Sequence, residues 1–219
     1  TRLPVSGAVF NYTALLRRPD VTGVSVVYFL MFFSLGLYLT YLPTWLESTL
    51  HVNGTHIASL FFAGGIANVV TGPLAGRMSD RIGRKPLIVT SCVGLGIIMV
   101  LTTYLVGNMI AAYLMFAAAM IMVAMRISPF QSLVSSLVTG ERRGALMSLT
   151  VALGQVGVGI GGGVAGLVYT RYGFLSNTLI GALTILIMAY LVQQWIPEPD
   201  ELHAPAPQSD SSPAATEAA

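Results

Sequence analysis

Long stretches without a formal charge set the limits on what this chain can fold into. No Asp, Glu, Lys or Arg falls between Asp20 and Glu47, Glu47 and Arg77, Lys85 and Arg126, Arg143 and Arg171, or Arg171 and Glu198. Each run supplies the roughly 20 apolar residues that a helix needs to cross a hydrocarbon core of about 30 Å. The third run has room for two passes, and Val106-Gly107-Asn108 offers the turn between them. Spans are predicted at about 22–46, 56–76, 86–105, 109–137, 144–169 and 174–196. The fold class that follows is all-α: a polytopic membrane protein of six transmembrane helices.

Charge placement adds a topology. Charged residues are only 9% of the chain, and nearly all lie outside the spans. With a cytoplasmic N-terminus, the inner segments hold Arg2, Arg17, Arg18, Arg77, Arg81, Arg84, Lys85, Arg142 and Arg143, while the outer loops hold Arg171 alone. The positive-inside rule favours that orientation, which leaves both termini cytoplasmic. Residues 1–20 read as a cytoplasmic lead-in with a short interfacial helix through Tyr12, Leu15 and Leu16, stopped by Arg17, Arg18 and Pro19. Residues 21–196 form the membrane domain. From 197 to 219 the chain is rich in Pro, Ala, Ser and acids and too poor in apolar residues to offset the entropy of folding, so a disordered cytoplasmic tail is expected.

Other chemistries find little support. The single cysteine, Cys92, lies within the third span, so no intramolecular disulfide can form, and it reads as a small buried apolar side chain. His51 and His56 flank a short outer loop, HVNGTH, without further metal ligands nearby. Asn53-Gly54-Thr55 has the form of a glycosylation sequon, in a loop too short to give it weight. No nucleophile-elbow spacing, no HExxH and no nucleotide-binding loop occurs. An enzyme, a metal, a cofactor and a nucleic-acid partner are therefore not expected. An intramembrane hydrolase would need a Ser or acid dyad at membrane depth, and Ser34 has no His or Lys partner.

The loop between the second and third spans is the specific signal. From Gly72 to Leu87 it reads GPLAGRMSDRIGRKPL. Gly76 is expected to end one span, Gly83 to permit a tight reversal, and Pro86 to suit the first turn of the next helix. Arg81, Arg84 and Lys85 fix the loop to the inner face, with Asp80 a lone acid among them. The pattern Gly76-x3-Asp80-Arg81-x-Gly83-Arg84-Lys85 resembles the signature loop of the major facilitator superfamily, which joins its second and third helices and recurs between the eighth and ninth. SPFQSLVSSLVTGERRGALMSL, residues 128–149, is similar to the family's tenth helix and following loop.

The resemblance implies one six-helix half, built as 3+3 inverted repeats, of a 12-helix transporter. In the family this loop's acid and its basic neighbours form a charge network with a helix of the opposite half, which would make Gly76, Asp80, Arg81, Gly83, Arg84 and Lys85 a gating element. The first half of antiporter branches often carries an Arg-centred motif in the fourth helix and a Gly-Pro motif in the fifth. Here Ile127, Ser128 and Pro129 follow Arg126, and the glycine-rich fifth span has no proline, so the C-terminal half is expected. Its partners would be a small-molecule substrate, the lipid bilayer and a missing N-terminal half from the same chain or a second copy. The location would be the bacterial inner membrane. A non-transporting receptor or scaffold that keeps the loop is the alternative.

Candidate cavity residues come from polar groups at membrane depth. Arg126 is the one formal charge inside a predicted span, about 16 Å from the inner end by helical rise. It could attract an anion in the central cavity, snorkel to the interface, or pair with a missing helix. Pro129, three residues on, is expected to kink the helix. Tyr28, Met31, Ser34, Tyr38 and Tyr41 share one arc of the first span. Since the family's first and fourth helices of each half line the cavity, Ser34, Tyr38, Tyr41, Arg126 and Gln131 are the cavity candidates. An interfacial aromatic belt is the other reading for the tyrosines. Asn68 is a weaker candidate, suited also to interhelical hydrogen bonding. Gly154, Gly157, Gly159, Gly161, Gly162, Gly163 and Gly166 give the fifth span either tight packing or the capacity to bend.

Overall fold

The structure is a computed structural model that describes residues 19–136 and 142–195. The expected interfacial helix before Pro19 and the tail after Trp195 lie outside the described residues. Among the described residues seven helices make six spans: α1 Pro19–Leu39 with α2 Leu42–Leu50, α3 Gly54–Ile82, α4 Arg84–Leu105, α5 Met109–Ser136, α6 Arg142–Tyr172 and α7 Phe174–Trp195. All six are long and apolar enough to cross a membrane. The turn expected at 106–108 is present, and Asn108 caps α5 by accepting from the Ala111 N–H at 2.9 Å.

Two expectations are corrected. The first span is not one helix: it breaks at Thr40–Tyr41 and restarts with Pro43 in the first turn of α2. Proline has no N–H to donate to the carbonyl four residues back, so the ladder is interrupted there and resumes at its first turn. Gly76 does not end the second span. Helix α3 runs six residues further, through Pro73 and Gly76 to Ile82, and stops at Gly83. Gly83 has φ 101°, a conformation open to glycine and strained for other residues, and it separates α3 from α4 on its own. Helix α5 continues through Pro129.

The packing order of the helices carries the internal symmetry. Helix α1 packs mainly on α6 and α7, α3 on α5, and α4 on α5 and α7. Exchanging the first three spans for the last three converts α1–α6 into α5–α3 and α1–α7 into α5–α4, and leaves α4–α7 unchanged. Three spans per repeat place successive repeats in opposite orientation, so the contact pattern is that of two inverted three-helix units. Helices α1, α4, α5 and α7 form the centre. The equivalent pair α3 and α6 is peripheral: only 17% and 22% of their apolar windows are buried, against 67% for the first span.

The core is built where the central helices meet. Val24, Val27, Met31, Leu35 and Tyr38 of α1 are buried with Ile88, Leu95 and Met99 of α4, Phe130 and Leu133 of α5, and Ile185, Met188 and Val192 of α7. In lipid the gain comes from dispersion contacts and close backbone approach more than from removal of water. Small residues therefore sit at the crossings: a Cβ on Gly96 would reach Ile185 and Ala182 at ordinary contact distance.

Candidate functional site

The loop motif occupies one end of the bundle. Asp80 and Arg81 lie in the last turn of α3 and both are exposed, while Arg84 and Lys85 open α4 and are half-buried. The turn is held from beneath by Ser79, which is buried: its Oγ donates to the Gly76 carbonyl at 2.7 Å, and its own carbonyl accepts from the Gly83 N–H at 3.0 Å. Gly76 faces α5, where an added Cβ would lie 3.6 Å from Ser128 Oγ. Lys85 Nζ donates to the Gln193 carbonyl at the end of α7, at 3.4 Å. An acid in the last turn of a helix opposes the helix dipole, so Asp80 gains nothing from its own helix. Its carboxylate is presented outward at the rim.

The five first-span residues do not share one face of the bundle. Ser34 and Tyr38 turn toward α4 and α7: Ser34 Oγ donates to the Gly181 carbonyl at 2.9 Å, and the Tyr38 and Thr102 hydroxyls lie 3.1 Å apart. Both residues have no exposed surface. Tyr28 and Tyr41 turn toward α6. Tyr28 lies over Gly154 and against Phe130, and Tyr41 stacks on Tyr169 with centroids 4.9 Å apart. The wide arc read from helical spacing is divided because α1 lies between α6 on one side and α7 on the other.

Among the second group, Asn68 on α3 donates to the Met120 carbonyl of α5 at 3.3 Å, an interhelical hydrogen bond. Gln131 is exposed on α5. Arg126 is fully buried, and its three guanidinium nitrogens have no hydrogen-bond partner among the described residues. The guanidinium lies beside Cys92 of α4. The structure thus joins Ser34 and Tyr38 through α4 and α7, and sets Arg126 in its own interior contact with α4.

Sequence reasoning passed over the hydroxyl and amide residues that complete these contacts. Thr102 receives Tyr38 and also donates to the Ile98 carbonyl at 2.7 Å. Asn177 of α7, buried, donates to the Ala165 carbonyl of α6 at 3.2 Å. Each is a polar residue inside a span, which was the available signal. In the loop at the opposite end, Asn53 caps α3: its Oδ1 accepts from the His56 N–H at 3.2 Å and meets His56 Nδ1 at 2.6 Å. That gives the Asn53 side chain a structural role. Among the described residues no group of three or more His, Cys, Asp or Glu could hold a metal ion.

Comparison with known proteins places these features. The chain is 25% identical over 174 residues to an uncharacterized MFS-type transporter, YbcL, of Bacillus subtilis, covering 78% of this chain and 43% of that protein. It is 25% identical over 172 residues to the class C tetracycline resistance protein of Escherichia coli, covering 73% and 41%. It is 27% identical over 116 residues to the glycine betaine/proline/ectoine/pipecolic acid transporter OusA of Dickeya dadantii, covering 53% and 21%. The chain spans less than half the length of these relatives. With the sequence profile of the Major Facilitator Superfamily matching residues 24–217, and six spans in two inverted repeats with the signature loop between the second and third, the chain belongs to that superfamily of membrane transporters.

Proposed function

We propose that this chain is the C-terminal six-helix half of a secondary transporter that moves a small organic solute across the bacterial inner membrane by alternating access. The observation that carries this reading is the pair of symmetry-equivalent uncovered helices. Phe62, Ile66, Val69 and Val70 of α3 are exposed, as are Val156, Ile160 and Leu167 of α6. Gly65 and Gly72 of α3, with Gly159 and Gly163 of α6, face open space, where a Cβ would meet nothing within 4 Å. Lipid can cover large apolar side chains, but small residues on an outward face admit a second helical surface at close range. A missing N-terminal half is the partner proposed for that face.

In this reading the exposed Asp80, with Arg81 and Arg84, bridges to the end of a helix in the other half and holds one gate closed. The chain's end bearing Arg77, Arg81, Arg84, Lys85 and Arg142 faces the cytoplasm, since the opposite end carries Arg171. Ser34, Tyr38, Tyr41, Asn68, Arg126 and Gln131 remain the proposed cavity group. Of these, Gln131 and Tyr41 keep exposed surface, and Ser34 and Tyr38 would act by setting how α1 sits against α4 and α7. The compounds in the relatives' names, tetracycline on one side and glycine betaine or proline on the other, bracket the proposed substrate class. The chain acts by binding and moving its solute, with no covalent chemistry.

The test is flux in proteoliposomes made with the complete transporter, using tetracycline-like and betaine-like solutes under imposed proton or sodium gradients. Transport of one of them, lost in Asp80→Asn with surface expression retained, is the expected result. Folded protein that moves neither solute, nor any of a broader panel of small organic solutes, would favour the receptor or scaffold alternative.

A further inference from the structure

At the end of the bundle opposite the loop motif, five helices enclose a small cavity. Its wall includes Tyr38 of α1, Leu42 and Leu46 of α2, Leu60 of α3, Thr102 of α4 and Phe116 of α5. All six are buried, so the space is internal. It leaves about 10 Å³ for the centre of a water-sized sphere, which is room for one water molecule. Leu42 and Leu46 are the residues that α2 buries, so this short helix is seated on the cavity.

The polar side chains in that wall are those of Tyr38 and Thr102, whose hydroxyl oxygens lie 3.1 Å apart. Counting their protons shows what they still accept. Thr102 Oγ1 donates to the Ile98 carbonyl at 2.7 Å, and a hydroxyl has one proton to give. Tyr38 is therefore the donor in the Tyr38–Thr102 bond. Both protons are then committed, and each oxygen keeps lone pairs with nothing donating to them. An occupant of this space has to be small and has to donate twice. Ammonium would bring an unpaired charge into a wall that is otherwise apolar, at a high desolvation cost. Water donates twice and carries no charge.

We propose that this cavity is the site of one structural water, which donates one hydrogen bond to Tyr38 Oη and the other to Thr102 Oγ1. Cavities lined by apolar groups alone stay dry, and the two hydroxyls are what make this one a water site. The molecule ties α1 to α4 just before the break at Thr40–Tyr41 and fills the space under Leu42 and Leu46. It thereby gives α2 a packed floor, where a gap would forfeit dispersion contacts. Tyr38 and Thr102, a single pair by direct contact, become a three-membered polar link. The site is built from residues of this chain and does not depend on which solute is carried.

Crystals of the complete transporter, diffracting well enough to show other buried waters, test this in the wild type and in a Tyr38→Phe/Thr102→Val double variant. The double variant removes both hydroxyls and nearly keeps the side-chain shapes. In the wild type one water peak is expected within O–H···O distance, about 2.5–3.0 Å, of both Tyr38 Oη and Thr102 Oγ1. In the double variant that peak is expected to be lost. A wild-type cavity without density overturns the site. A peak that persists in the double variant overturns it too, since main-chain groups would then be holding the water. Should the double variant not fold, Thr102→Val alone decides: lower occupancy than in the wild type is expected, and unchanged occupancy overturns the assignment.

Discussion

The seam between α1 and α6 and its symmetry equivalent between α5 and α3 occupy matching places in the two repeats, yet they are built differently. In α1–α6 the backbones touch. A Cβ at Gly157 would fall 2.6 Å from the Phe29 carbonyl, one at Gly36 would fall 2.6 Å from the Val158 carbonyl, and one at Gly161 would collide with the Phe33 carbonyl. In α3–α5 a glycine receives a side chain instead: Gly64 sits under the Phe116 ring, with Met120 beside it. Symmetry fixes which helices meet, and local sequence fixes how closely. The first seam cannot yield without moving a helix, whereas the second can yield through rotamers.

Substitutions along the two seams should break that comparison in a definite order. The largest effect is expected for Gly157→Ala or Gly161→Ala, where the new methyl meets main chain. A loss of about 3 kcal/mol is expected, at the upper end for overpacking, even though alanine favours a helix by about 1 kcal/mol. Thermal unfolding of the purified protein in detergent reads this. An unchanged midpoint would show that the helices are free to separate. For Gly64→Ala the same measurement should show a smaller loss, about 1 kcal/mol, because Phe116 and Met120 can shift. If Gly64→Ala proved as costly as Gly157→Ala, the distinction between backbone and side-chain contact would be lost.

A third substitution reaches the central crossing. Tyr38→Phe removes one interhelical hydrogen bond but leaves Thr102 bonded to the Ile98 carbonyl. The expected cost is about 0.6 kcal/mol, the usual size for such bonds in membranes. A cost several times larger would mean that the hydroxyl is part of a wider network. No destabilisation is expected at Gly159, on the side of α6 away from α1, where a methyl meets nothing within 4 Å among the described residues. Gly159→Ala should change the stability of this six-helix unit by at most about 1 kcal/mol, in the favourable direction. In the complete transporter the same change should slow flux if a second half covers that face. Unaltered flux there would count against the proposed partner surface.

How much of this was legible beforehand differs residue by residue. The spans were, because each backbone N–H and C=O in hydrocarbon must be satisfied within a helix, and length and charge exclusion then fix the count. Gly83 was legible as the turn, its positive φ being a property of the residue. The break at Thr40–Tyr41 was signalled by Pro43 and was still missed, since Pro73 and Pro129 lie inside helices that continue through them. Proline removes a donor wherever it occurs, but whether the helix stops depends on what packs around the gap.

For the candidate site, sequence marked the polar residues at depth but not their directions. Ser34 and Tyr38, cavity candidates by sequence, stand in contacts with Gly181 and Thr102. Asn68 bonds the Met120 carbonyl, and Arg126 meets Cys92. In a soluble protein one apolar face would separate inside from outside. In a membrane helix both lipid and protein interior are apolar, so periodicity loses its power to orient.

The sequence by itself therefore determined six spans, their loops and the signature motif, since hydrophobic length, charge and glycine's backbone freedom act locally. Tertiary structure alone decided which helices pair, which glycines meet main chain and which are open, and that the thiol of Cys92 lies beside Arg126, the one arginine buried among the described residues. Those outcomes depend on contacts between residues dozens of positions apart, where helix rotation of a fraction of a turn exchanges one neighbour for another.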